Sequence, residues 1–232
     1  MAQRNEPVDA DHFPVQISKL RGGLYLVEDT NYWKTNSVFY VAPEGVLFIN
    51  GGWTSKSAAQ ILWKAATLSY QEFIAVIPVS GGLHHTGGLW EFRKQRVPIF
   101  LTRDGSRQIA ANWNPWNEKM RSFGSWKIRD APQADDYLSM NETGRMEMLG
   151  GKVVLIFPGP TSSPDALAVY FPQEKILYAG DMLADPPHFV QPQQGAMQNI
   201  NKLQSLNFDT IISGHGQAVR PRAFFTRTWS FQ

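Results

Sequence analysis

Early in the chain, apolar and polar residues alternate in short runs, the period-two signature of half-buried strands. VQISKL (15–20) and GLYLVED (23–29) come first. NSVFYVAP (36–43) and GVLFINGG (45–52) follow, joined by a tight Pro43-Glu44-Gly45 turn. This pattern predicts a meander of hairpins. The period then changes. In TSKSAAQILWKAATLS (54–69), apolar residues at 58, 61, 62, 65 and 68 fit one face of a helix, with Thr54 as its N-cap.

A strand-like run, FIAVIPVS (73–80), leads into a glycine-rich loop, and GGLWEFRKQ (87–95) leads out of it with a helical pattern. A strand near 101 and a helix around 104–113 are expected next. NWNPWNEKMRSFGSW (112–126), with three tryptophans and a proline, reads as irregular. A second series of strands then appears in RMEMLGG (145–151), KVVLIFPG (152–159), ALAVYFP (166–172) and KILYAG (175–180). GAMQNINKLQSL (195–206) has a helical pattern, and DTIISG (209–214) is the last strand, ending at His215-Gly216. Strands and a helix recur in similar order in each half. The expected fold is α/β, two related halves packed as an αββα sandwich, with residues 1–13 as a polar arm and 14–232 as one domain.

Composition narrows the function. The 232 residues are 43% hydrophobic, enough for a sizeable core, and the formal net charge is only +2. No basic run resembles a phosphate-backbone footprint, so nucleic acid is not an expected partner. The longest apolar runs, such as VVLIF (153–157), are far too short to span a bilayer, so no membrane partner is expected. The opening MAQRNEPVDADHFP has no apolar signal-peptide core, and a cytoplasmic location is the expectation. There are no cysteines, which removes thiolate ligands, disulfides and a cysteine nucleophile. Aromatics make up 12% of the chain, compatible with core packing, a homo-oligomer interface or an aromatic-lined substrate pocket.

The chemistry concentrates in SGGLHHTGG (80–88). From about residue 22 to 217 the chain resembles the metallo-β-lactamase superfamily, whose metal loop reads H-x-H-x-D-H-x-G-G after a strand. Three further landmarks agree in order. NSVFYVAPEGVLFINGG matches N-S-Y-L-V…G-V-L-L-I-D-T-G. FPGPTSSPDALAVYFPQEKILYAGD (157–181) matches P-G-x-G-H-T-x-D…V-Y-x-P-x-x-x-L-F-x-G-D, and ISGHG (212–216) matches the terminal G-H-G.

The departures are selective. Ser80, Gly82 and Ser162 stand where the family's three first-site histidines belong. Asn50 replaces a buried aspartate behind the loop, keeping hydrogen-bonding capacity without charge. At the second site, His84 takes the place of the loop aspartate, and His85, Asp181 and His215 match family ligands. The resemblance thus implies one erased site and one filled by four residues able to bind metal. Three imidazoles and one carboxylate suit one divalent ion, zinc ahead of iron. Taken singly, His215 could fill a turn, Asp181 could cap one, and His84 and His85 could be solvated loop residues.

Other candidates border this set. His188, in ADPPHFVQP (184–192), is the catalytic candidate: it could act as a general acid, bind substrate or complete the metal shell, with a surface-loop histidine as the plain alternative. Tyr32 and Trp33 fall in the hairpin that overhangs the metal in the family, and Trp113, Trp116 and Trp126 are candidates for an opposite wall. Ser80 and Ser162 are expected to meet water or substrate. No G-x-S-x-G elbow surrounds Ser162, so it is not read as a serine nucleophile.

Three functions follow. The first is a mononuclear metal-dependent hydrolase of a small ester, lactone, thioester or amide, apolar or aromatic. β-Lactamase activity itself is not expected, because the carbonyl-polarising site is gone. The second is a mononuclear non-haem iron enzyme, with His85, Asp181 and His215 as a 2-His-1-carboxylate set. The third is a non-catalytic relative on an enzyme fold. Metal analysis of protein isolated without added metal separates them.

Overall fold

Alternation along the strands decides the architecture. In the computed structural model, which describes residues 15–29, 34–121, 130–185 and 195–229, the first half contains β1 (Gln16–Lys19), β2 (Leu24–Asp29), β3 (Thr35–Ala42) and β4 (Gly45–Ile49). Helix α1 (Ser55–Leu68) and β5 (Phe73–Ile77) follow. Leu24, Leu26, Val38, Tyr40, Leu47, Ile49 and Ile77 turn inward to a central core, while their neighbours Val27, Phe39, Phe48 and Val76 pack against helices on the other face. The α1 face predicted from spacing is buried at Ala58, Ile61, Leu62 and Ala65, and Thr54 caps it, its side chain accepting from the Ser57 amide at 3.0 Å.

Helix α2 (Leu83–Thr86) lies within the 80–88 segment, and α3 (Leu89–Lys94) follows it. A two-residue strand β6 (Phe100–Leu101) precedes α4 (Arg103–Arg121), and β6 pairs with β7 (Asp136–Tyr137). Helix α4 runs well past the expected end at 113 and includes Pro115, so the stretch read as irregular is helical up to 121. A proline inside a helix forfeits one backbone bond. Here Ile109, Trp113 and Asn117, spaced four apart, are all buried on one face, and that packing outweighs the loss. Trp113 therefore belongs to the helix-side core, with Trp116 packed against it, not to an open pocket wall; Trp126 lies outside the described residues.

The second half contains β8 (Arg145–Met148), β9 (Val153–Ile156), β10 (Ala168–Phe171) and β11 (Ile176–Asp185). Next come α5 (Ala196–Asn201) with a following 3-10 turn, β12 (Thr210–Gly216), β13 (Val219–Pro221) and α6 (Arg222–Trp229). Val153, Leu155, Val169, Phe171, Ile176, Tyr178 and Ile212 face the same central core. Alternate residues Val154, Ile156, Ala168, Leu177, Ala179 and Ile211 pack with Ile200, Leu203 and Phe225 in a third core. Three cores separate four layers, which is the αββα sandwich. Sheet order runs β1-β2-β3-β12-β11-β10-β9-β8, with β4 and β5 continuing from β3. The halves meet where His215 of β12 pairs with Thr35 of β3, so the last candidate ligand sits on the seam.

Candidate metal centre

Two candidate ligands, His84 and His85, lie in α2, and the other two, Asp181 and His215, lie on β11 and β12, each held from behind. After β5 the chain turns at Pro78, and the amide of Val79 donates to Asn50 Oδ1 at 2.9 Å. Asn50 has a left-handed φ of 73°, which asparagine tolerates better than most residues. Its Nδ2 donates to the Tyr178 hydroxyl at 2.7 Å, and that hydroxyl donates to the Asn36 carbonyl at 2.7 Å. Burial, and then the nearby Asp181 charge, raise the Tyr178 phenol well above its ordinary value, so it remains a donor. A neutral, fully paired chain of hydrogen bonds thus backs the loop.

The loop enters α2 through the Gly82 carbonyl, which accepts from the His85 and Thr86 amides and from Thr86 Oγ1. The paired glycines behind the histidines have a steric reason. A β-carbon at position 88 would lie 2.1 Å from the Gly51 carbonyl oxygen. This close approach lets the Gly51 amide donate to the His85 carbonyl at 2.7 Å, tying His85 to the end of β4. On the other side, the β11–β12 register slips at Gly180, whose φ is 53°. Asp181 falls in that irregularity and leaves the ladder toward the histidines.

The resulting cluster centres on one carboxylate. His84 Nε2 and His85 Nε2 lie 2.9 and 3.0 Å from Asp181 Oδ2, and His215 Nε2 lies 3.1 Å from Asp181 Oδ1. His85 is fully buried, and the Asp181 side chain is only 15% exposed. Burial drives the His85 imidazole down to about pKa 4, against the opposing pull of Asp181. Burial also works against the Asp181 charge, but His84 and His85 overcome it and hold that carboxyl well below its ordinary value. The pair therefore carries a neutral imidazole and an ionised carboxylate at neutral pH, the states metal ligation needs.

Ligand atoms of His84, His85 and Asp181 all lie within 4.8 Å of one another, a set able to hold an ion. Donors about 2.0–2.1 Å from a tetrahedral zinc sit roughly 3.3 Å apart, close to the nitrogen–oxygen separations found here. The donor set thus fits a divalent metal. One feature departs from a fully supported site. His85 Nδ1 is buried without a hydrogen-bond partner, whereas a ligating histidine usually donates its far nitrogen to an oxygen.

The other predicted residues divide. Ser80 is buried, and its Oγ accepts from the Gly82 amide at 3.3 Å. Ser162 Oγ and the adjacent Thr161 Oγ1 are buried without a partner. The segments holding these serines are stitched together, because the Leu167 amide donates to the Val79 carbonyl at 2.8 Å. Tyr32, Trp33 and His188 lie outside the described residues.

Sequence reasoning missed two supports. Asp165 accepts from the Gly81 amide at 2.6 Å, from Gln108 Nε2 at 2.7 Å and from Ser163 Oγ at 2.7 Å, linking α4 to both loops. Its signal was present as the last letter of the quoted P-G-x-G-H-T-x-D motif. The second is Trp53, whose indole donates to Thr35 Oγ1 at 2.6 Å and whose ring lies 5.7 Å from that of His84. Thr35 pairs with His215, so one brace spans two candidate ligands. No motif letter marks it.

The profile of the metallo-beta-lactamase superfamily matches residues 84–215, more than half of the chain. The chain belongs to the metallo-beta-lactamase superfamily. Solved family structures superpose over nearly the whole chain at low identity. The FIM-1 metallo-beta-lactamase from Pseudomonas aeruginosa, in its mono-zinc form, aligns with TM-score 0.78 at 16% identity, covering 94% of each chain. The DIM-1 metallo-beta-lactamase aligns with TM-score 0.77 at 14% identity, covering 94% of this chain and 96% of that one. The metallo-beta-lactamase of Pontibacter korlensis gives 0.75 at 18% identity, covering 93% and 97%. At these identities the likeness is one of fold. A curated relative is the 2,4-dinitroanisole O-demethylase subunit alpha of Nocardioides sp. (strain JS1661), 32% identical over 79 residues. That match spans 32% of this chain and about a quarter (24%) of the relative's length. The superfamily includes metallo-hydrolases, and its fold implies a divalent metal. No helix among the described residues is long and apolar enough to cross a membrane.

Proposed function

We propose that the protein is a metal-dependent hydrolase with one metal ion per chain, acting on a small ester, lactone, thioester or amide with an apolar or aromatic body. The observation that carries this reading is the engagement of both Asp181 oxygens by three imidazoles in a largely buried cluster. His84, His85, Asp181 and His215 would hold the ion, zinc ahead of iron. Such an ion supplies Lewis acidity, polarising a carbonyl and lowering the pKa of a water. Asp181 offsets part of its charge, while Asn50 adds none behind it.

The remaining roles fall to residues around the set. His188 is assigned proton transfer to the leaving group. Ser80 and Ser162 are assigned hydrogen bonds to substrate, supported by the unpartnered Ser162 hydroxyl. Tyr32 and Trp33 are assigned to the apolar wall. Asp165 holds the Gly81 amide and so keeps the loop in register with β10.

The experiment is hydrolysis of aryl esters, lactones, thioesters and anilides by metal-loaded and chelator-treated protein. Turnover that disappears on chelation and returns with one equivalent of zinc supports the proposal. Turnover indifferent to chelation contradicts it.

The O-demethylase relative favours a second substrate class, the activated aryl methyl ether. Hydrolysis adds water and releases a phenol and methanol without oxygen uptake. An oxidative iron enzyme would instead consume O₂ and a reductant and release formaldehyde. Product analysis with 2,4-dinitroanisole therefore separates the hydrolase from the iron-oxygenase reading.

A further inference from the structure

Gly82 has no backbone reason to be glycine. Its φ of −60° and ψ of 143° are open to any residue. Glycine there costs conformational entropy that alanine would spare. What distinguishes position 82 is the space above it. A β-carbon added there would lie 2.7 Å from His84 Cε1, 3.1 Å from His84 Nδ1 and 3.3 Å from Ser80 Oγ. The His84 imidazole lies over Gly82, in the volume that a side chain at 82 would enter. From that position its Nε2 reaches Asp181 Oδ2 at 2.9 Å, and its ring packs against His85 and His215 at centroid distances of 3.9 and 5.0 Å. At 2.7 Å the ring must shift to clear a β-carbon, and the Nε2 that meets Asp181 is carried on that same ring.

We propose that Gly82 is a positioning residue for His84: its missing side chain lets the imidazole fold back over the loop and complete the cluster on Asp181. Position 82 and position 84 then compete for one volume. A side chain at 82 is incompatible with a ligating histidine at 84, so restoring a histidine at 82 alone would dismantle this site without building another. This inference rests on the single-metal reading for its affinity readout, and on the His84–Asp181 contact alone for its structural readout.

The test compares the full-length protein with Gly82→Ala, His84→Ala and the double variant. Zinc affinity is measured by competition with a chelator, and the His84 ring by long-range ¹H–¹⁵N correlation in chelator-treated samples. Gly82→Ala is expected to weaken zinc binding about 10–100-fold, the range seen when support of a ligand is lost. In chelator it should shift the His84 ring signals toward those of a free imidazole. In the His84→Ala background, Gly82→Ala should have no further effect. Unchanged His84 signals in Gly82→Ala, or multiplicative losses in the double variant, would overturn the proposal. If the parent binds no zinc, the metal reading fails, while the ring signals still decide the role of Gly82. Should Gly82→Ala not fold, the double variant decides: the proposal requires it to fold and melt like His84→Ala, and an unfolded double variant refutes it.

Discussion

Asn50 gives its side-chain amide to the Tyr178 hydroxyl at 2.7 Å, and Tyr178 passes its single proton on to the Asn36 carbonyl. An aspartate at 50 could not take this part. The phenol would have to choose between the carboxylate and Asn36, leaving one buried acceptor unpaired. Asn50→Asp should therefore destabilise the metal-free protein by about 1–3 kcal/mol at neutral pH, the usual penalty for such a group. A buried aspartate has its pKa raised, so the loss should shrink as pH falls through that raised value. Urea unfolding in chelator at several pH values measures both effects.

Asp165 makes a pH prediction of its own. Burial raises its carboxyl above the ordinary 3.8, against the opposing bonds from Ser163 and Gly81. A folded-state value above the unfolded one favours the protonated native protein. Its contribution is thus fully present below about pH 3.8 and lost as pH rises through the higher folded value. Replacing Asp165 with Asn removes this titration. The stability difference, parent minus variant, should fall as pH rises above about 3.8 and through the higher folded value, as the parent loses that contribution. A difference that widens with pH in denaturant titrations would show that Asp165 gains its stability as an anion.

Much of this was legible in the sequence, for physical reasons. Strands buried on both faces, such as β4 and β9, show continuous apolar runs, and α1 has both a clean face and a cap. His84, His85, Asp181 and His215 were legible as candidates because motif letters mark them, and the fold brings their side chains together. The parts that stayed hidden depend on tertiary contacts. Helix α4 continues through Pro115 because Trp113 and Asn117 are buried, which local propensity does not record. Helix α6 and strand β13 lie beyond the last motif, yet Phe225 is fully buried in the outer core. The Trp53–Thr35 brace joins residues close in sequence but on different elements, and nothing in their spacing signals it.

The ligand and proton-transfer roles separate by mutation. His215 sits on the seam between β12 and β3, fixed by its pairing with Thr35. His215→Ala should lose metal and activity together. His188→Ala should keep the metal and lower turnover by about 10²–10⁴-fold, the range for a general acid or base. Elemental analysis beside steady-state kinetics checks both, and a His188→Ala protein of normal turnover removes that residue from the mechanism.

The central claim is that Asp181 and the three histidines around it hold one ion and that Ser80, Gly82 and Ser162 hold none. Elemental analysis of protein saturated with zinc and then dialysed tests it most directly. The account predicts about one zinc per chain in the parent and none retained in an Asp181→Ala variant. Two tightly held zinc ions per chain, or one retained after Asp181 is removed, would contradict it.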